Sequence, residues 1–201
     1  HLFRNDHAAA RPFLQDIISS NEYRIVDRFL DNFEEETELN DESIFEVFFS
    51  LAFGLGGAWS GDGGGNPSAV TFRGQEYGAN AWRNLIPSDE LVAEFETVAN
   101  GATKDDPRNQ YSCYRIGDVF NNGQSILSAD DVQGDVTKPS WRKYQNLYKR
   151  AAENTNSGIN FRVIRYADVL LMMAEVENEL SGPGAALPFI NQVRARADVD
   201  M

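Results

Sequence analysis

Residues 160–180 read "NFRVIRYADVLLMMAEVENEL", twenty-one residues without a proline or glycine. That run exceeds what a strand needs, and its spacing predicts an α-helix. At about 100° per residue, Val163, Ala167, Leu170, Leu171 and Ala174 share one side, flanked by Ile164, Tyr166, Val169, Met173 and Leu180. Arg165, Asp168, Glu175 and Glu179 occupy the remaining strip. Such a helix is buried on most sides and wet along one. A membrane span would need roughly 20 predominantly apolar residues, and charges recur here every few positions.

"SGPG", Ser181 to Gly184, ends this helix, because Gly182 can supply a left-handed helix end and Pro183 cannot continue the ladder. A second run, "AALPFINQVRARA", repeats Ala186, Phe189, Ile190, Val193 and Ala197 at helical spacing, with Pro188 tolerable only in a first turn. Two helices joined so closely form an antiparallel αα-hairpin or one tetratricopeptide-like unit. No second copy at a fixed period appears elsewhere. "AAARPFLQDIISS" places Ala10, Phe13, Leu14, Ile17 and Ile18 on one helical face. Segments 8–19 and 163–197 each leave an apolar face that the other could cover, so they are expected to pack together.

The 201 residues suffice for a substantial core, and 42% hydrophobic with 11% aromatic content is that of a globular chain. Eighteen basic against thirty-one acidic residues give a net charge of −13, which repels nucleic acid and anionic lipid. A single cysteine, Cys113, excludes an intramolecular disulfide and multi-cysteine metal sites. The only two histidines, His1 and His7, leave little scope for histidine catalysis or zinc. No cofactor or metal is called for. The chain opens "HLFRNDHAAARPFL", without initiator Met or signal, and ends "RARADVDM" as a helix finishes, which reads as an internal piece of a longer protein.

Between the helical ends the chain is irregular. "EEETELNDES" reads as a solvated acidic turn and "IFEVFFSLAF" as a mostly buried strand including Val47. "GLGGAWSGDGGGNPS" has seven glycines in fifteen residues and is loop. "IPSDELVAEFETV" starts a helix with Ser88 as N-cap and turns Leu91, Val92, Phe95 and Val98 inward. "KDDPRNQYSCYRIGDVF" reads as a turn at Asp106 and Pro107 followed by a short strand, and residues 121–138 are polar and turn-rich. In "SWRKYQNLYKRAA", Trp141, Tyr144 and Tyr148 fall at i, i+3 and i+7, which fits a helix.

"FRVIRYADVLLMMAEVENEL" followed by "INQVRARA" resembles the signature of the SusD/RagB family of nutrient-binding outer-membrane lipoproteins. The matching positions are Arg165, Tyr166, Ala167, Asp168, Ala174, Glu175, Asn178, Glu179, Asn191, Val193, Arg194, Arg196 and Ala197. "ELNDESIFEVFFS", "IPSDELVAEFE" and "DDPR" resemble three further family segments in the same order. The family's N-terminal lipoprotein signal, first helices and C-terminal segment have no counterpart here. The resemblance implies a mainly α fold, with a tetratricopeptide-like scaffold, a loop-rich part and short strands. It implies one such domain over 1–201, incomplete at both ends. Residues 1–33 and 160–201 would be scaffold and 34–159 the irregular, ligand-binding part. It further implies non-catalytic capture of an oligosaccharide or peptide at the cell surface, held by a lipid anchor outside this chain, for uptake through a TonB-dependent transporter of the outer membrane.

If helices are scaffold, loops carry recognition. "AWSGDGGGNPSAVTFRGQEYGANAWRN" sets Trp59, Phe72, Tyr77 and Trp82 among glycines and the polar Asp62, Asn66, Arg73, Gln75 and Asn80. Sugar C–H faces stack on flat aromatics while amides and carboxylates bind hydroxyls. The expected ligand site is Trp59, Asp62, Asn66, Arg73, Tyr77, Trp82, Trp141 and Tyr144. The competing role for each aromatic is to pin its loop to the core. "GDGGGN" lacks the Gly-Lys-Ser/Thr ending of a phosphate loop and the alternating oxygens of a calcium loop, although Asp62 and Asn66 suit a looser calcium site. A secreted glycoside hydrolase, drawing a carboxylate pair from the many acids, and a helical adaptor binding only protein are the readings from other classes.

Overall fold

The computed structural model describes residues 1–51, 70–99, 102–103 and 105–201. In chain order its elements are α1 (His7–Ser20), β1 (Ser43–Val47), α2 (Arg73–Tyr77), α3 (Asp89–Ala93), β2 (Val98–Ala99), β3 (Ala102–Thr103), α4 (Pro107–Ser112), β4 (Cys113–Tyr114), β5 (Val119–Phe120), β6 (Ser125–Ile126), β7 (Ser140–Trp141), β8 (Phe161–Arg165), α5 (Tyr166–Ser181) and α6 (Pro183–Arg194). The fold is mainly α, with a tetratricopeptide-like helical scaffold, an irregular part and strands that pair only in twos. Two compact units are formed. One comprises His1–Asn32, Leu39–Glu46 and Arg162–Met201, the other Phe33–Glu38 and Val47–Phe161.

In the helical unit α1 packs on α5 and α5 on α6, as the apolar faces of 8–19 and 163–197 predict. Asp6 opens α1 by accepting from the Ala9 N–H at 3.2 Å. Ala10 and Leu14 join Tyr166, Val169, Leu170, Met173 and Val176 in one core, with Ile17, Ile18, Phe189 and Val193 against it. Phe13 instead lies outside, stacked on the His1 ring at 5.5 Å. The helix predicted from residue 160 starts only at Tyr166. There the Arg165 N–H donates to Asp168 Oδ2 at 2.9 Å, a cap that begins the helix, and Phe161–Arg165 is a strand paired with β1. The inward arc also turns, so Val163, Leu171 and Leu180 are exposed. Gly182, at φ +91°, ends α5, and Pro183 opens α6. Because α6 starts that early, Pro188 lies inside it rather than in its first turn, where its missing N–H leaves the Gly184 carbonyl without a helical donor.

The largest departure concerns the acidic turn. Glu42 is fully buried, not solvated. Arg196 forks onto it with both bonds at 2.8 Å, Arg165 Nη1 donates at 3.0 Å, the Val26 N–H at 3.1 Å and Asn32 Nδ2 at 3.2 Å. A buried carboxylate is tolerated when its oxygens are filled in this way. β1 is likewise inverted from expectation. Phe45 is 54% exposed and Val47 and Phe48 are outside, while Glu46 is buried 3.1 Å from Arg162 Nε. The ion pair shares the inner face with Ile44, which packs against the helical core.

The irregular unit has its own core of Ala79, Tyr114, Phe120, Leu127 and Leu147. Ser88 caps α3 through the Leu91 N–H at 3.2 Å, but the helix closes after five residues. Leu91 faces solvent and Val98 belongs to β2. Asp106 and Pro107 open a helical turn, α4, before the expected strand, since Asp106 Oδ1 accepts from the Arg108 N–H at 2.9 Å and Pro107 needs no donor there. β4 pairs antiparallel with β7, Cys113 opposite Trp141, and β5 with β6. Segment 140–152 is no helix. Tyr144, at φ +59°, breaks it, and only a 3-10 turn forms at Asn146–Tyr148. The glycine-rich stretch 54–68 lies outside the described residues.

Candidate ligand-binding site

The segment carrying Arg73, Tyr77 and Trp82 is fastened to the segment carrying Trp141 and Tyr144. Thr71 and Ser157 exchange backbone bonds at 2.9 and 2.8 Å just before α2. Gly74 and Gly78 then let α2 lie against Glu153 and Gln145. A Cβ at Gly74 would stand 2.1 Å from Glu153 Oε2, and one at Gly78 would stand 2.4 Å from Gln145 Oε1. Asn80 bonds both ways, donating to the Ala151 carbonyl at 2.9 Å and accepting from the Glu153 N–H at 3.2 Å. The buried Arg83 donates to the carbonyls of Gln133, Asp135 (3.1 Å), Lys138 (3.0 Å) and Pro139 (3.4 Å). Beneath lies Glu153, whose carboxylate accepts from the Leu147 N–H at 2.9 Å and Asn146 Nδ2 at 3.3 Å. Burial pushes the Glu153 pKa up, against the pull of those bonds.

This fastening brings together two of the residues chosen from the sequence. The Arg73 guanidinium lies 4.0 Å from the Phe161 ring centroid and 5.8 Å from that of Tyr144, and those two rings are 5.1 Å apart. Phe33 meets Tyr144 edge-on at 5.1 Å, and Lys143 Nζ stands 4.9 Å from the Phe33 centroid. Nearby in sequence, Tyr148 donates to Glu36 and accepts from the Glu35 N–H at 3.1 Å, while Lys149 pairs with Glu35 at 2.7 Å and with Glu36. Burial and the Glu36 bond raise the Tyr148 pKa. For Lys149, burial pulls downward but its acidic partners win and raise it, so it stays charged. Tyr144 holds its left-handed backbone amid this cluster, a conformation unusual for an aromatic residue and associated with functional sites.

The other candidates are placed less decisively. Trp59, Asp62 and Asn66 lie outside the described residues. Tyr77, half-buried, ends α2; Trp82 is 38% exposed with its N–H on the Gln75 carbonyl at 3.0 Å; Trp141 is half-buried in β7. Phe33, Phe161 and Lys143 belong to the cluster and were missed. Alternation in "FRVIR" was the available sign that Phe161 leaves the helix. A separate cleft of about 560 Å³ opens between α3 and α4, with Phe95 and Pro107 beside Asp105, Asn109 and Gln110. Among the described residues no three His, Cys, Asp or Glu side chains converge as metal ligands, and no helix is long and apolar enough to cross a membrane.

With this arrangement in hand, comparison with known proteins is informative. Residues 41–201 match the profile of the SusD family. The chain belongs to that family. A SusD-like protein, P25, of Formosa agariphila is 29% identical over 219 aligned positions, which span 98% of this chain and 39% of the relative. The chain thus covers about two fifths of that curated relative's length. Among solved structures, a SusD superfamily protein of Bacteroides vulgatus superposes with a TM-score of 0.71 at 26% identity, over 98% of this chain and 41% of its own. Surface glycan-binding protein A of Bacteroides thetaiotaomicron, solved with laminarihexaose, gives 0.63 at 20% identity over 99% and 45%, a likeness of fold. Arg165 and Arg196, which fill the Glu42 site, are two of the three arginines on which the resemblance in sequence rests.

Proposed function

We propose that this SusD-family chain contributes the ligand-holding part of a non-catalytic surface protein that captures oligosaccharides. In this reading residues 1–33 and 160–201 are scaffold and 34–159 hold ligand, within one domain that also draws on residues outside this chain. Capture precedes uptake through a TonB-dependent outer-membrane transporter, with the protein lipid-anchored at the cell surface. The observation that carries the reading is the family match over residues 41–201, strengthened by the fold shared with a glycan-binding protein solved with laminarihexaose. The geometry suits it. Arg73, Tyr144 and Phe161 offer ring faces and in-plane donors, with Trp82 exposed on the adjoining turn and Trp59, Asp62, Asn66, Tyr77 and Trp141 completing the proposed site.

Titration of the full-length protein with laminarihexaose and other oligosaccharides, followed for hours by product analysis, tests this. Saturable binding without shortened sugars is expected. Steady release of shortened sugar would make it a glycoside hydrolase, and affinity for peptides alone would make it a peptide-capturing member of the family. Co-purification with a TonB-dependent transporter from outer membranes tests the partner.

A further inference from the structure

Arg73 stands out in a chain with a net charge of −13. Among the described residues its guanidinium meets no carboxylate and no hydrogen-bond acceptor, and Nη1 is buried without a partner. What holds it is its face, laid 4.0 Å from the Phe161 centroid and 5.8 Å from that of Tyr144. A guanidinium stacked in this way keeps its N–H donors in plane, and with Nη1 buried the fork it can present to the two oxygens of a carboxylate or sulfate is that of Nε and Nη2. Other basic side chains of the unit are committed. Lys149 pairs with Glu35 and Glu36, Lys138 with Asp89, Arg108 with Asp106, and Arg83 donates to four carbonyls. Beyond the paired Lys138 and Lys149, residues 138–150 also carry Arg142, Lys143 and Arg150 and no acid, which favours an anion nearby.

We propose that Arg73, seated on Phe161 and Tyr144, recognises an oxyanion on the captured glycan, so that the ligand of this site is an acidic oligosaccharide. A uronate carboxylate and a sulfate ester share the chemistry. The proposal rests on the glycan-binding reading above and names its ligand class. The ligand oxyanion would supply acceptors for guanidinium donors that no described residue takes up.

The test is calorimetric titration of the full-length protein with three oligosaccharides of matched length: laminarihexaose, an oligogalacturonate and a sulfated carrageenan fragment. At least one charged sugar should bind about tenfold or more tightly than laminarihexaose, with affinity falling as salt rises. In Arg73→Gln that preference should shrink by roughly 10-fold to 100-fold, the cost of a charge-assisted bond. Arg73→Lys should lie between, since it keeps the charge and loses the fork. The wild-type preference and its salt dependence need no variant, so a poorly folded Arg73→Gln does not spare the idea. Equal or weaker binding of both charged sugars overturns the proposal and leaves glycan capture standing. A preference that Arg73→Gln retains overturns the role of Arg73. Binding of acidic peptides with no oligosaccharide bound overturns both.

Discussion

In the helical unit the buried Glu42 accepts five hydrogen bonds, from Arg165, Arg196, Asn32 and Val26, whereas in the irregular unit the Arg73 guanidinium is held by ring faces and makes none among the described residues. Both units bury polar groups, and each leaves some open: among the described residues Asn32 Oδ1 has no partner in the helical unit and Arg73 Nη1 none in the irregular one. A closed polar set specifies one arrangement of the segments that supply it. Polar groups left open await something else. Gln145 Oε1 and Asn146 Oδ1, also buried without partners among the described residues, sit on the same segment as Tyr144. The filled carboxylate of Glu42 fixes the segments around it, and the open guanidinium of Arg73 is suited to a ligand.

The sharpest way to break this comparison is to open the closed set. Glu42→Ala leaves two guanidinium groups facing a void and should cost about 3 to 5 kcal/mol in chemical denaturation. Leu170→Asp, placing a charge in the helical core, should cost a similar amount, whereas the exposed Glu179→Ala should stay within about 0.5 kcal/mol. A near-neutral Glu42→Ala would mean that the helical unit does not depend on its ion cluster.

The next effect is smaller and lies in the irregular unit. A Cβ at Gly78 would stand 2.5 Å from the Gly74 carbonyl oxygen, which is backbone and cannot swing aside. Gly78→Ala should cost about 1 to 3 kcal/mol, like other overpacked sites. It should also weaken glycan binding by displacing α2 and Arg73. Loss of stability with unchanged binding would detach the α2 contact from the site.

These two sites also show what was legible in the sequence. The α1 face apart from Phe13, the break at Gly182 and the Ser88 cap are local patterns, and each appears where its residues put it. The acids of "EEETELNDES" looked solvated because the partners of Glu42 lie 123 and 154 positions away, a separation that no local pattern reports. β8 was hidden because its strand feeds an unbroken helix, with the buried Arg162 and exposed Val163 inverting the usual alternation. In the candidate cluster, aromatic and polar density points to Arg73 and Tyr144 but not to Phe161 and Phe33, which join them only through tertiary packing.

Trp82 separates ligand surface from loop anchor. At 38% exposed, it keeps part of its ring available to a sugar face. Trp82→Ala should weaken oligosaccharide binding by about 1 to 2 kcal/mol, with a smaller change in folding stability. Thermal denaturation and titration on the same sample decide it. A stability loss near the roughly 3 to 5 kcal/mol of a core tryptophan, with binding reduced only in step, would make Trp82 an anchor.

The smallest effects are changes of slope with pH, and they separate closed from open polar groups within the irregular unit itself. Burial pushes the Asp106 pKa up, but the Arg108 bonds at 2.7 to 3.0 Å outweigh it and hold the carboxyl below its usual 3.8. The unfolded chain then takes up that proton first on acidification. The stability Asp106 contributes is complete above about 3.8 and is lost as pH falls through its lower folded value. Glu153 runs the other way. Its folded pKa is raised above 4.5 by burial, so its contribution is complete below 4.5 and is lost as pH rises through the folded value. Asp106→Asn, which keeps the helix cap, should flatten the acid limb of a urea-midpoint profile, and Glu153→Gln should flatten the decline above 4.5. If Glu153→Gln instead left that decline unchanged and flattened the acid limb, the hydrogen bonds to Glu153 would outweigh its burial, and the floor beneath α2 would resemble the Asp106 cap.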